Sequence, residues 1–305
     1  MAWDPIEKKP LYHWRPGSSI LSAGFAGCNL SCPFCQNWHI SQIGRTIPQG
    51  AFIDPKELVT KAVNKTGQTS LTSLESCQIA YTYSEPLVHA EYLIISMTEA
   101  EEKGVANILI TNGCIDSKTA QAVLNHTNAV NVDLKSFSEK TYRDILKGKL
   151  PQVLDFINMA VSMGIHTEIT TLIVPGLNDS EAELDQITGF IAEQSRDTII
   201  PWHVSAYRPC WKWDAPATEP AVLSAITQRA RKILPYVYTG NIADKNDTAC
   251  IQCGALIVKR HGFRSDRSGL YLEQRKEVSD LEKRPDDPVF YNCAACNAAT
   301  AIRWK

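Results

Sequence analysis

Between residues 18 and 238 short apolar runs alternate with helix-like segments, and this alternation restricts the fold more than any other feature of the chain. Strands are expected at residues 18–24, 78–83, 106–110, 129–134, 166–174 and 199–206, with a last short strand at 236–238. Helices are expected at about 86–103, 118–125, 138–146, 151–163 and 220–234. Two more begin on capping chemistry. Asp54 can cap a helix that has Pro55 in its first turn and Glu57 reaching back, and Ser180 with Glu183 reads as a capping box for a helix to about Gln194. Gly164 suits a left-handed helix end. Strand–helix alternation implies a parallel sheet with helices outside. Six such units are too few for a closed eight-stranded barrel. The expected fold is α/β, a partial (β/α)6 TIM-like barrel, open on one side, with ligands at the carboxyl ends of its strands.

At 305 residues the chain exceeds what one core usually grows to fill. It becomes loop-rich after about Asp247. The expected division is an N-terminal extension over 1–17, the barrel over 18–242 and a small domain over 243–305. A net charge of −2 gives no electrostatic footprint for nucleic acid, though it excludes none. The start, MAWDPIEKKPLYHW, lacks the apolar run of a signal peptide, and no stretch reaches the roughly 18 apolar residues of a membrane helix. A cytoplasmic location is therefore expected, where thiols stay reduced. Ten cysteines then need a reason other than disulfides.

Cys28, Cys32 and Cys35 form C-x3-C-x2-C in GCNLSCPFCQNW, directly after the first expected strand. Thiolates are the protein ligands of iron–sulfur clusters. A cubane cluster takes four ligands and this loop offers three, which leaves one iron open to a small molecule. Gly24, Gly27, Asn29 and Pro33 suit a tight loop. The competing reading is a zinc loop with His39 as fourth ligand. Cys250-x2-Cys253 and Cys293-x2-Cys296 have the spacing of two metal knuckles, and four such thiolates favour structural zinc in a zinc-ribbon-like domain. A second iron–sulfur cluster competes there. Gly254 and Asn297 tolerate the left-handed turn a knuckle needs. Arg260, Arg264 and Arg267, between the pairs, read as a solvated face or a docking surface, solvation being the simpler reading. Cys77 and Cys114 read as small buried hydrophobes. Cys210 lies in a loop with Tyr207, Arg208, Trp211 and Trp213, which reads equally as a packed loop and as a recognition surface.

With these motifs in place, the chain resembles the radical S-adenosylmethionine (radical SAM) superfamily, whose loop is C-x3-C-x-aromatic-C, matched by Cys28, Cys32, Phe34 and Cys35. More narrowly, CPFCQNWHISQ is similar to the radical enzyme of the AmmeMemoRadiSam system, a group itself similar to pyruvate formate-lyase activating enzymes. The similarity runs through YTYSEP, TNG, DLK, IVPGLNDSEAEL, WHVSAYRP and VYTGN, from about residue 14 to 242. It implies an iron–sulfur-dependent, oxidoreductase-like enzyme with a [4Fe-4S] cluster on Cys28, Cys32 and Cys35 and S-adenosylmethionine on the open iron. Reduction by a donor such as flavodoxin or ferredoxin then gives methionine and a 5′-deoxyadenosyl radical, which takes hydrogen from an unidentified substrate.

Cofactor contacts are implied for Phe34, Ser84, Glu85, Thr111, Asn112, Asp133, Lys135 and His203. By their own chemistry Glu85 also reads as an acid at a helix start, Asp133 with Lys135 as a salt bridge and His203 as a core histidine; His89 and His166 read as structural. Some activating enzymes place an acid before Thr-Asn-Gly to hold a monovalent cation, and Ile110 here argues against that cation. The family name implies Memo-type and AMMECR1-type partner proteins, and an open barrel side fits a protein or other large substrate. Two alternatives stand beside this reading: an activating enzyme for a glycyl-radical enzyme, and a zinc-ribbon binding module with a degenerate barrel.

Overall fold

The computed structural model describes residues 1–43, 52–66, 77–271 and 289–304. The chain divides into two compact units: Met1–Asp4 with Ser19–Ile242, and Pro5–Ser18 with Ala243–Lys305. The N-terminal residues are thus shared between the two units. Among the described residues no helix is long and apolar enough to cross a membrane.

The larger unit is built on one eight-stranded sheet in the order β1 (Ala2–Pro5), β2 (Ser19–Gly24), β3 (Gln78–Thr82), β4 (Ala106–Thr111), β5 (Ala129–Asp133), β6 (His166–Ile173), β7 (Trp202–Ala206) and β8 (Val237–Gly240). Neighbours from β2 to β8 run parallel. The six core strands lie where the apolar runs place them. The sheet gains β1, whose four residues AWDP are too short and polar to read as a strand, and a full β8.

The helices are α1 (Trp38–Ser41), α2 (Pro55–Thr66), α3 (Ala90–Glu102), α4 (Ser117–Leu124), α5 (Glu139–Thr141), α6 (Leu150–Ser162), α7 (Glu181–Gln194) and α8 (Pro220–Ala230). On β6 the odd positions Ile169 and Ile173 join the apolar core with Ile187 and Ile191 of α7. The even positions take the opposite face, where Glu168 and Thr170 bond to His203 on β7 and Asn131 on β5.

The helix ends refine the sequence reading. Gly164 ends α6 at φ +73°. Ser180 caps α7 through the Glu183 N–H, but Glu183 does not reach back: its carboxylate accepts the Ser136 hydroxyl at 2.5 Å and the Phe137 N–H at 2.7 Å. Asp54 accepts the Lys56 N–H at 2.9 Å, while Glu57 pairs with Lys61 instead of reaching back. The helix expected at 138–146 is one α-turn followed by a π-turn over Tyr142–Leu146, which ends on Lys147 at φ +60°.

The smaller unit carries two three-stranded sheets. One has the order β11 (Arg264–Asp266), β10 (Leu256–His261), β9 (Thr248–Ala249), and the other β12 (Leu270–Tyr271), β13 (Phe290–Cys293), β14 (Ala299–Arg303). Its apolar centre holds Cys250, Ile257, Val258, Tyr291, Cys293 and Ile302. Arg260 corrects the expectation of a solvated face, whereas Arg267, like Arg264, is exposed. Arg260 is buried, donating to Asn246 O, Thr248 Oγ1 and Tyr12 O with its guanidinium over the Tyr12 ring. Arg267 donates to the Tyr291 hydroxyl and lies against the Tyr291 and Trp304 rings. A core this small recruits guanidinium planes as packing material, because their faces are poorly hydrated and stack on aromatic rings. Arg264 is exposed, as its charge dictates.

Candidate active site

β2 ends at Gly24 and releases the three-cysteine loop at the carboxyl end of the sheet. Neighbouring turns brace that loop at several of its carbonyls. The Ser84 hydroxyl donates to Phe25 O at 2.6 Å, the His89 ring nitrogen lies 2.7 Å from Ala26 O, and the Glu85 N–H donates to Gly27 O at 3.3 Å. The Ser31 N–H donates to Leu146 O at 2.8 Å, and Gln42 Nε2 to Leu30 O at 3.0 Å. Phe34 is buried, with its ring 6.4 Å from that of Trp213 in an edge contact.

Two N–H groups face Cys28 Sγ: the Leu30 backbone at 3.3 Å and Asn112 Nδ2 at 3.7 Å. The Cys35 thiol lies 3.2 Å from the Ser41 hydroxyl. Burial, reinforced by the Glu85 carboxylate, pushes the Cys28 thiol up to about 12, and burial pushes Cys32 up to about 11. Sulfurs that resist ionising when bare, yet face donors, suit thiolates whose charge a bound metal offsets.

The turn after β3 and the turn after β4 hang from Glu85. Its buried carboxylate accepts the Leu87 N–H at 3.0 Å, the Thr111 hydroxyl at 2.6 Å and the Asn112 N–H at 2.7 Å. Burial pushes its pKa up to about 7 even with these donors. Asn112 in turn donates to Asn29 Oδ1 at 2.9 Å and accepts the Cys114 N–H at 2.8 Å, while Asn29 Nδ2 donates to Cys114 O at 2.5 Å. Ser84, Glu85, Thr111 and Asn112 therefore spend their hydrogen bonds on shaping the cysteine loop and its neighbours. Tyr83, just before them, has a left-handed backbone at φ +71°, with its carbonyl held by Asn37 Nδ2 and its hydroxyl donating to Asp4 at 2.6 Å.

Asp133 and Lys135 pair at 2.9 Å at the end of β5. Burial works against the Lys135 charge, but the Asp133 carboxylate and Cys32 thiolate outweigh it and hold the ammonium above its usual range. Asn178 fixes this turn by donating to Lys135 O at 2.7 Å and Leu172 O at 2.8 Å while accepting the Val174 N–H. His203 lies deeper. Its Nε2 is 2.6 Å from Glu168 Oε2, and His166 Nε2 is 2.9 Å from Glu168 Oε1, all three side chains being buried. Burial alone would raise the Glu168 pKa, but hydrogen bonds from the two imidazoles hold it well below the usual carboxylate range.

In the smaller unit the four cysteines converge. Cys250 and Cys296 sulfurs lie 3.8 Å apart, as do those of Cys253 and Cys293, and all four fall within 4.8 Å of one another. The two knuckles repeat one geometry. Gly254 N–H donates to Cys250 O and Asn297 N–H to Cys293 O, at 2.8 and 2.9 Å, with φ +73° and +61° at the two turn residues.

Sequence reasoning named Asn29 only as a loop former, without its hydrogen bonds, and missed Asn37, Asn178 and Glu168. Asn178 sits in a recognisable stretch, GLNDSE, but its partners could not be read there.

A parallel α/β sheet that carries a three-thiol loop at its strand ends, flanked by polar turns, is the framework of an iron–sulfur protein. The model of the Radical SAM superfamily matches residues 24–186, and the chain belongs to that superfamily. It is 34% identical over 282 residues to the uncharacterized protein MJ0808 of Methanocaldococcus jannaschii, covering 90% of this chain and 80% of that one. It is 24% identical over 186 residues to the pyruvate formate-lyase-activating enzyme of Clostridium pasteurianum, covering 59% of this chain and 73% of that one. Among solved structures, Streptococcus suis SuiB shares the fold at a TM-score of 0.56 and 12% identity, over 77% of this chain and 52% of that one. Superfamily members are enzymes, and membership implies a [4Fe-4S] cluster and S-adenosylmethionine.

Proposed function

We propose that this protein is a radical SAM enzyme of the AmmeMemoRadiSam type. Its cluster is held by Cys28, Cys32 and Cys35. The observation that carries this reading is the bracing of the loop: three thiols at one strand end, with the turns after β3 and β4 and the Leu146 carbonyl hydrogen-bonded to it. The cluster, when bound, supplies the electron that splits S-adenosylmethionine into methionine and a 5′-deoxyadenosyl radical. The protein's own part is placement. Glu85 and Asn112 shape the turns around Cys28, and Asp133 with Lys135 offers a fixed pair of opposite charges to a zwitterion. His203, Thr111, Ser84 and Phe34 support the same pocket. Anaerobic reconstitution should give about four irons per chain beyond any in the tail. Replacing all three cysteines by alanine should abolish both the cluster absorbance and 5′-deoxyadenosine formation; full cleavage by that variant would refute the reading.

Cys250, Cys253, Cys293 and Cys296 are proposed to bind one zinc ion in a zinc-ribbon-like fold. Four thiolates about 2.3 Å from one tetrahedral ion lie about 3.8 Å from each other, which matches the sulfur spacing of 3.8 to 4.8 Å. A cubane cluster needs more room, because each thiolate there binds a different iron. Acid-labile sulfide retained by a variant lacking Cys28, Cys32 and Cys35 would favour an auxiliary cluster instead.

The substrate is proposed to be a protein or other large molecule, with Memo-type and AMMECR1-type proteins as partners and a flavodoxin or ferredoxin as donor. The similarity to a pyruvate formate-lyase-activating enzyme favours a second reading, activation of a glycyl-radical enzyme. Deuterated candidate partners and deuterated small-molecule extract, incubated separately with the reduced enzyme, separate these cases. Deuterium in 5′-deoxyadenosine from the small-molecule fraction alone would overturn the large-substrate reading.

A further inference from the structure

The β7–α8 loop is tied to the cysteine loop at the stretch between its second and third thiols. The Lys212 N–H donates to Pro33 O at 3.0 Å, and the Cys210 thiol donates to Cys35 O at 3.5 Å. Trp213 is fixed from both sides. Its N–H and carbonyl exchange bonds with Cys210 at 3.2 Å, and its carbonyl also accepts the Tyr207 hydroxyl at 2.6 Å. Tyr207 is buried and anchored in turn, its N–H donating to Thr218 Oγ1 at 3.0 Å and the Thr218 hydroxyl donating to Ile173 O at 2.6 Å. The Trp213 ring meets the Phe34 ring at 78°, and Phe34 lies directly before Cys35.

Within this over-determined loop the indole N–H of Trp213 is buried and finds no acceptor among the described residues. A buried donor left unpaired costs free energy, so such groups are normally satisfied by something. An indole nitrogen is a donor and never an acceptor. What it requires here is therefore an acceptor that the described residues do not provide, on a ring packed against Phe34, the neighbour of Cys35. Cluster sulfides and cysteine thiolates are acceptors of that kind, and hydrogen bonds to them help set a cluster's reduction potential.

We propose that Trp213 is a positioning residue that donates its indole N–H to a sulfur of the cluster's coordination sphere, and that the β7–α8 loop thereby raises the cluster's reduction potential. This rests on the reading of Cys28, Cys32 and Cys35 as cluster ligands. A donor pulls electron density from sulfur and favours the reduced, more negative cluster. Without it, the reduced state is harder to reach, while the ligands themselves remain.

The test uses the full chain, reconstituted anaerobically. Trp213→Phe keeps a ring against Phe34 and removes the N–H. Iron and sulfide content should match the wild type, and the midpoint potential, followed by electron paramagnetic resonance of the reduced cluster, should become more negative. Tryptophan labelled with 15N at the indole gives an independent spectroscopic readout. Pulsed hyperfine spectroscopy of the reduced wild type should show a 15N coupling, lost in Trp213→Phe. An unchanged potential with full cluster content, or a labelled wild type without 15N coupling, overturns the proposal. Should Trp213→Phe fail to fold, Trp38→Phe and Trp211→Phe decide: each should keep the coupling, and its loss in either overturns the proposal. A wild type that assembles no cluster refutes instead the ligand assignment on which the proposal stands, and takes the proposal with it.

Discussion

Glu85 shows how one buried side chain can hold two turns, since every partner of its carboxylate is a donor. Glu85→Gln sets an amide NH2 against those donors. It should cost about 2–3 kcal/mol in urea denaturation and slow S-adenosylmethionine cleavage, because Asn112 loses the bond that aims it at Cys28. Glu168 makes the pH argument. Its pKa is held below the ordinary value of 4.5, so its contribution is present above that pH and fades as pH falls beneath it. Glu168→Gln should be less stable than the wild type by roughly 3–5 kcal/mol at pH 7. Urea titrations at lower pH should show that gap narrowing below about pH 4.5. The chemistry of Glu85, Asp133 and Lys135 was legible from residue type and strand-end position. Asn29, Asn37 and Asn178 were not. Their partners lie 85, 46 and 43 residues away, and an asparagine carries no local sign of which distant carbonyl it will meet.

Among the elements, the segment from α5 to α6 also helps set the cysteine loop. Leu146 O receives the Ser31 N–H, and a methyl group at Gly148 would collide with Leu30 and come within 3.2 Å of Cys114 Sγ. Gly148→Ala should therefore cost about 1–3 kcal/mol through overpacking. Thermal unfolding would measure that loss. Iron bound per chain after reconstitution should also fall, because Leu30 sits between two of the thiols. The sequence pattern located this segment as helical but missed its π-turn. A π-turn answers the need to deliver the Tyr142 hydroxyl to the Lys135 N–H at 3.1 Å, a demand from a neighbouring strand end. Glu183 diverges from its capping-box role for the same reason: Ser136 and Phe137 offer better-placed donors than its own helix start.

For the molecule as a whole, the two units meet different stability problems. The larger has an extended apolar core around its parallel sheet, whereas the smaller centres on six buried residues, two of them cysteines. If the four cysteines hold the proposed zinc, a strong zinc chelator should melt the smaller unit selectively. Hydrogen exchange should show protection lost over 248–271 and 289–304 and kept in β3 to β7. Equal loss in both would mean that the ion is not what holds the tail together. The positions of strands β2 to β7, the three-thiol loop, the spacing of the paired knuckles and the Asp54 and Ser180 helix caps were legible in the sequence itself. Each depends on periodicity, spacing or capping within a few residues. Tertiary structure alone decided that Ala2–Pro5 becomes the first strand of the sheet, that Arg260 is buried and that Glu85 braces two turns. It also decided that the Trp213 N–H finds no acceptor among the described residues. These outcomes depend on which distant groups share a buried space. There every donor must find an acceptor, and that condition appears only once the chain has closed around it.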